Sequence, residues 1–78
     1  MELSARNQLA GTITAITLGA VMADVSVDIG HGQTISSAIT RNSVERLGLK
    51  VGDRVVAIIK ATEVMIGKPT GEERRNLG

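Results

Sequence analysis

Along residues 9–18 (LAGTITAITL), Leu9, Gly11, Ile13 and Ala15 share one phase of a two-residue alternation, and Ile16 and Leu18 fall on the other. A phase slip inside a β-rich run predicts a strand carrying a bulge or a sharp bend. After Gly19 the alternation is clean, with Val21, Ala23, Val25, Val27 and Ile29 on one face and Met22, Asp24, Ser26 and Asp28 on the other. That is the signature of a half-buried strand. Gly30-His31-Gly32 reads as a turn, and residues 33–40 return as a third strand with Ile35 and Ile39 in phase, which predicts a β-hairpin.

Around residues 42–48 the pattern changes period. Asn42 can cap a short helix, Glu45 stands three residues on to complete a capping box, Val44 and Leu47 share a face, and Gly48 offers a left-handed exit. Beyond the Val51-Gly52-Asp53 turn, residues 54–59 (RVVAII) are apolar on both faces, and the β-rich alternation resumes through Thr62, Val64 and Ile66. A strand apolar on both faces is covered on both, by barrel closure or by another chain. From Gly67 onward the sequence is polar, holds the one Pro and has almost nothing to bury, so residues 69–78 read as a flexible tail behind a single domain over residues 1–68. The expected fold is all-β, a small five-stranded barrel of the oligonucleotide/oligosaccharide-binding (OB) type with one short helix.

Composition turns this outline into a problem of stability. The 78 residues are 42% hydrophobic and contain no Phe, Tyr, Trp or Cys. A chain of this size buries only roughly 60% of its unfolded surface, and without aromatic rings its core is thin. Disulfides are excluded, and one histidine without cysteine does not make a structural zinc site. Mean hydropathy is nevertheless positive, so self-association is the expected remedy.

Nine Lys and Arg against eight Asp and Glu give a formal net charge of +1, with the cations scattered along the chain. Nucleic-acid binding draws on clustered cations or stacking aromatics, so no nucleic-acid partner is expected. No apolar run approaches the roughly 20 residues of a membrane span, and the N-terminus lacks the order of a signal peptide. The chain reads as cytoplasmic, with no membrane partner.

Catalysis has little support. His31 sits between two glycines with no identifiable acidic or nucleophilic neighbour. Asp24 and Asp28 lie about 13 Å apart along a strand, too far for a cooperating carboxylate pair. The Gly30-His31-Gly32 start of a dinucleotide fingerprint fails at Ile35, where the third glycine belongs. The chain is expected not to be an enzyme.

Three donor-rich clusters embedded in apolar sequence point instead to an anion. Ser4-Ala5-Arg6-Asn7 combines a hydroxyl, a guanidinium and an amide just before the first strand. Thr40 and Ser43 flank the helix start, and Lys60-Ala61-Thr62 interrupts the most apolar strand. Hydroxyls, backbone N–H groups and cations are the groups that hold an oxyanion. Each cluster also has a purely architectural reading: a frayed terminus, helix caps, and a lysine snorkelling from an interface.

At these residues the chain resembles a known family. Ser4-Ala5-Arg6-Asn7-Gln8-Leu9 with Gly11, the hairpin around Asp28-Ile29-Gly30-His31-Gly32, Ala38-Ile39-Thr40 with Ser43-Val44-Glu45-Arg46-Leu47, the turn at residues 48–53 and the stretch at residues 59–66 are similar to the Mop domain of molbindins, a TOBE-like molybdate-binding domain. The resemblance spans about residues 2–67. It implies an OB-like barrel assembling as a homo-oligomer, a hexamer built as a trimer of dimers, that binds molybdate or tungstate at subunit interfaces for storage or homeostasis. It implies no organic cofactor and no direct metal–protein bond. Carried over, Ser4, Ala5 and Arg6 would come from one subunit and Thr40, Ser43, Lys60 and Ala61 from its neighbour, with Thr62 added. Ala61 stands where relatives often carry Ser, so only its backbone N–H remains as a donor. Two other readings remain, a pure oligomerisation module and a swapped-hairpin DNA-binding regulator, which shares the turn near Gly48.

Overall fold

The computed structural model describes Met1 and residues 4–76. Strands β1 (Asn7–Leu18), β2 (Met22–Gly30) and β3 (Gln33–Thr40) are followed by helix α1 (Arg41–Leu47), strand β4 (Arg54–Ile59), a 3-10 turn (Ala61–Glu63) and helix α2 (Gly71–Asn76). The strands form one antiparallel sheet in the order β3-β2-β1-β4.

The phase slip in β1 is a register shift. Ile13 pairs with Val27, but Ala15 pairs with Ser26, leaving Thr14 as the extra residue. The slip lets Ile13 and Ile16, three apart, both turn toward the core: Ile13 is buried and Ile16 half-buried against the same cluster. Gly11 is held by a close approach. A Cβ there would stand 2.5 Å from the Asp28 carbonyl oxygen and 2.6 Å from Val27 Cγ1.

Ala23, Val25 and Val27 of β2 join Ile13 and Val44 in the core, and Ile29 packs at its margin. Val21, expected on the same face, precedes the strand and is exposed. The hairpin closes through His31 (φ 55°) and Gly32 (φ 72°), the two positive φ values that match the twist of the flanking strands. The Gly30 N–H donates to Asp28 Oδ1 at 2.8 Å, which gives that carboxylate a turn-forming role.

Helix α1 begins earlier than the sequence reading placed it. Thr40, not Asn42, is the N-cap: its Oγ1 accepts from the Ser43 N–H at 3.1 Å, and Glu45 pairs with Arg41 instead of closing a capping box. Beginning at Arg41 points Val44 into the core and leaves Leu47 in solvent. The exit is as expected. Gly48 sits at φ 65°, and the Gly48 and Leu49 N–H groups donate to the Glu45 and Val44 carbonyls, a Schellman motif.

The fifth strand does not form among the described residues, which present a four-stranded sheet with β3 and β4 as its edges rather than a closed five-stranded barrel. After β4 the Glu63 N–H bonds back to the Lys60 carbonyl (2.9 Å) and the Val64 N–H to that of Ala61 (3.3 Å). This 3-10 turn carries the chain off the sheet, leaving Val64, Met65 and Ile66 exposed and outside any strand. The outer face of β4 is also open at Val56 and Ile58.

The segment read as a tail contains α2. Its start is a reciprocal capping box, Thr70 N–H to Glu73 Oε1 at 3.1 Å and Glu73 N–H to Thr70 Oγ1 at 3.4 Å. The Thr70 hydroxyl and the Thr70 N–H, both facing the Glu73 carboxyl, hold it below its ordinary range. Residues 71–75 are exposed, so the helix rests on local bonds rather than packing.

Candidate functional site

The start of β1 and the end of β4 are neighbours because Asn7 pairs with Ile59 in the ladder. Residues just before the one and just after the other are therefore brought together from opposite ends of the domain. They line a cavity of about 270 Å3 formed by Ser4, Ala5, Arg6, Lys60, Ala61 and Thr62. Two of the three donor clusters expected from the sequence make up its whole lining.

Two side chains fix the walls. Asn7 Nδ2 donates to the Ile59 carbonyl at 3.1 Å, and Gln8 Nε2 donates to the Ala5 carbonyl at 3.3 Å. The Asn7 amide, grouped with the anion donors in the sequence reading, is thus spent on joining the two segments. Nothing in the sequence marks this role, which depends on the β1–β4 register. On the other wall, Ala61 and Thr62 open the 3-10 turn, so their N–H groups have no acceptor within it.

Arg6 and Lys60 bring two cations to a cavity that no carboxylate lines among the described residues. Among the described residues the one ion pair is Arg41–Glu45, at 3.0 Å, on α1. Two cations on one concavity, with hydroxyls from Ser4 and Thr62, suit a compact anion.

Thr40 and Ser43 lie elsewhere. Their hydroxyls bond each other at 2.7 Å while capping α1. Thr40 borders a larger cavity, about 440 Å3, with Ala20, Val21, Arg41, Asn42 and Glu45. Size does not make it the better site: its guanidinium is paired with Glu45 and its hydroxyl is used as a cap. Lys60 and Ala61 share a cavity with Ser4, Ala5 and Arg6, and only Thr40 and Ser43 stand apart.

His31 is exposed at the hairpin tip, and Asp24 is exposed on β2. No group of three or more His, Cys, Asp or Glu able to hold a metal ion occurs among the described residues. No helix among them is long and apolar enough to cross a membrane.

The family model for the TOBE domain matches residues 3–66, an interval that contains the sheet and both walls of the cavity. The chain belongs to the TOBE-domain family. This TOBE domain is 49% identical over 67 residues to a probable molybdenum-pterin-binding protein of Haemophilus influenzae, covering 86% of this chain and 97% of that protein. Among solved structures it is similar to a molybdate-binding protein from Sporomusa ovata, with a TM-score of 0.82 and 43% identity, covering 87% of this chain and all of the other. It is also similar to ModG, a cytoplasmic molybdate-binding protein solved with molybdate bound, with a TM-score of 0.84 and 45% identity over 88% of this chain and 49% of ModG. The OB-like class expected from the sequence agrees with these neighbours, and the strand count is the point of difference.

Proposed function

We propose that this TOBE domain binds molybdate or tungstate, as the intact tetrahedral oxyanion, in the cavity between residues 4–6 and 60–62, and that it catalyses no reaction. The observation that carries the reading is the meeting of Arg6 and Lys60 in one cavity that no carboxylate lines among the described residues. The names of the relatives and neighbours, molybdenum-pterin-binding and molybdate-binding proteins, support the choice of anion. Arg6 and Lys60 offset the dianion's charge, while the Ser4 and Thr62 hydroxyls and the backbone N–H groups supply directed donors. The anion's oxygens face the protein, so no metal–protein bond is required.

The same reading makes the chain a cytoplasmic store or buffer of the oxyanion that works as a homo-oligomer, a hexamer arranged as a trimer of dimers. Exposed apolar side chains support self-association. Met65 and Ile66 are each 91% exposed, and Val56, Ile58 and Val64 add to them. All six cavity residues lie at the surface of the single chain, Ala5 alone being half-buried, which suits a site that a neighbouring copy completes, with Thr40 and Ser43 as the donors it brings. Ligand that bridges copies stabilises the assembly by mass action. Isothermal titration with molybdate, paired with native mass spectrometry, tests both parts. Saturable binding to an oligomer is expected, and a ligand-indifferent monomer would refute the reading.

A further inference from the structure

Resting on the oxyanion reading, we propose that Lys60 is an acylation site: the cavity docks an acyl phosphate by its phosphoryl group, and the Lys60 amine takes the acyl group. Arg6 precedes β1 and Lys60 follows β4, each one residue beyond the Asn7–Ile59 rung, and both line the cavity of about 270 Å3. The base of Lys60 is held on both sides, by that rung through Ile59 and by its own carbonyl, which accepts from the Glu63 N–H at 2.9 Å. An acyl phosphate presents the same kind of tetrahedral, oxygen-rich anion that the cavity is read to hold, with a reactive carbonyl carbon on one oxygen. The Arg6 guanidinium pairs with phosphoryl oxygens through parallel N–H donors and, always protonated, cannot attack that carbon. The Ser4 and Thr62 hydroxyls are weak nucleophiles without an adjacent base, and no carboxylate or imidazole lines the cavity among the described residues. The Lys60 amine is the remaining side-chain nucleophile of the lining, and lysine is an ordinary target of acylation.

In the transfer the neutral form of the Lys60 amine attacks the acyl carbon, the bond from that carbon to the phosphoryl oxygen breaks, and inorganic phosphate leaves with the electron pair. The nitrogen gives up one proton to water. Nothing is oxidised or reduced, and the products are an amide on Lys60 and free phosphate. The step is stoichiometric, once per chain, so it is a modification and not a turnover. Docking favours it by holding the donor beside one amine. The amide carries no charge, so acylation removes one of the two cations that line the cavity and weakens oxyanion binding. Bound oxyanion occupies the same space and shields Lys60.

The chain has three lysines, Lys50, Lys60 and Lys68, all exposed, so exposure gives none of them an advantage. After isothermal titration establishes molybdate binding, the full chain is treated with acetyl phosphate, with and without saturating molybdate, and separately with acetic anhydride, an acyl donor without charge. Peptide mass spectrometry follows each lysine. With acetyl phosphate, Lys60 is expected to label about tenfold faster than Lys50 or Lys68, the equivalent of one charge-assisted contact to the donor, and molybdate should remove that lead. The anhydride should label the three at comparable rates. Uniform labelling by acetyl phosphate, a lead that molybdate leaves intact, or an equal lead with the anhydride overturns the proposal. Absence of molybdate binding in the titration refutes the functional reading and this proposal with it, whereas uniform labelling of a chain that binds molybdate refutes the proposal alone.

Discussion

Asn7 and Ile59 face each other across the β1–β4 ladder, and the Asn7 side chain closes the pair by donating to the Ile59 carbonyl at 3.1 Å. This is the last rung before Arg6 and Lys60 diverge into the cavity. Replacing Asn7 with Ala removes one half-buried hydrogen bond, worth about 0.5–1.5 kcal/mol of stability. Because the bond spans the two walls, the anion site should suffer more than the fold. Molybdate affinity, measured where the variant is still folded, is expected to fall about tenfold, and unchanged affinity in a titration would assign Asn7 to the fold alone.

The two cations act on one ligand from separate segments. Arg6→Ala and Lys60→Ala each remove a charge-assisted contact of about 1.5–3 kcal/mol, or roughly ten- to a hundredfold in affinity. Both side chains are exposed, so stability should change by less than about 0.5 kcal/mol. The double variant is expected to show less than the sum of the single losses, because both groups share the anion. Full additivity by titration would place them in independent sites.

Thr40 and Asn42 compete as caps in the sequence, and the structure chooses Thr40. Thr40→Ala should cost about 1 kcal/mol by stranding the Ser43 N–H, whereas Asn42→Ala, at an exposed position inside the first turn, should cost a few tenths at most. Chemical denaturation of the two variants checks the order.

The same competition indicates what local sequence can convey. Both Thr40 with Ser43 and Asn42 with Glu45 have the spacing of a helix start. In the structure the helix begins at Arg41 and Val44 is buried in the core. Strands β1 to β3 are legible because alternation fixes which face is buried, β4 because of its continuous apolar run, and even the bulge leaves its mark as a phase slip at Ile13 to Ile16. The fifth strand was misread because alternation at Thr62, Val64 and Ile66 marks a face without naming a partner strand. The cavity was half-legible. Its donors stood out by type, but the meeting of Arg6 with Lys60 follows from a register linking positions 52 apart, as Asn7 and Ile59 are.

Glu73 gives α2 a pH dependence. Its carboxyl titrates below the ordinary range because the Thr70 hydroxyl and N–H favour the charged form. A carboxyl with a lowered folded-state pKa contributes helix stability above its unfolded value and loses it as pH falls through the folded value. The α2 helix is therefore expected to fray in acid while the sheet, which has no part in this contact, persists. Amide resonances of residues 71–75 followed from neutral to acidic pH should shift toward coil values together with the Glu73 carboxyl titration. Thr70→Ala should raise the Glu73 midpoint toward that of a free glutamate, and an unmoved midpoint would remove Thr70 as the cause.

Gly11 tests the packing that holds the site's strands together. A Cβ at this position meets the Asp28 carbonyl at 2.5 Å and Val27 Cγ1 at 2.6 Å, inside van der Waals contact. Val27 could shift its rotamer, but the Asp28 carbonyl is part of the β1–β2 ladder and cannot yield without moving a strand. Gly11→Ala is expected to destabilise by about 1–3 kcal/mol, the range for overpacking. The added methyl group lowers the freedom of the unfolded chain, a gain of at most about 1 kcal/mol, so the clash dominates and the sign is fixed. In a urea series the midpoint should drop with an unchanged slope, and the variant should still bind molybdate when folded, since Gly11 lies outside the cavity. A midpoint at or above that of the unaltered chain would mean that β1 and β2 are farther apart than described.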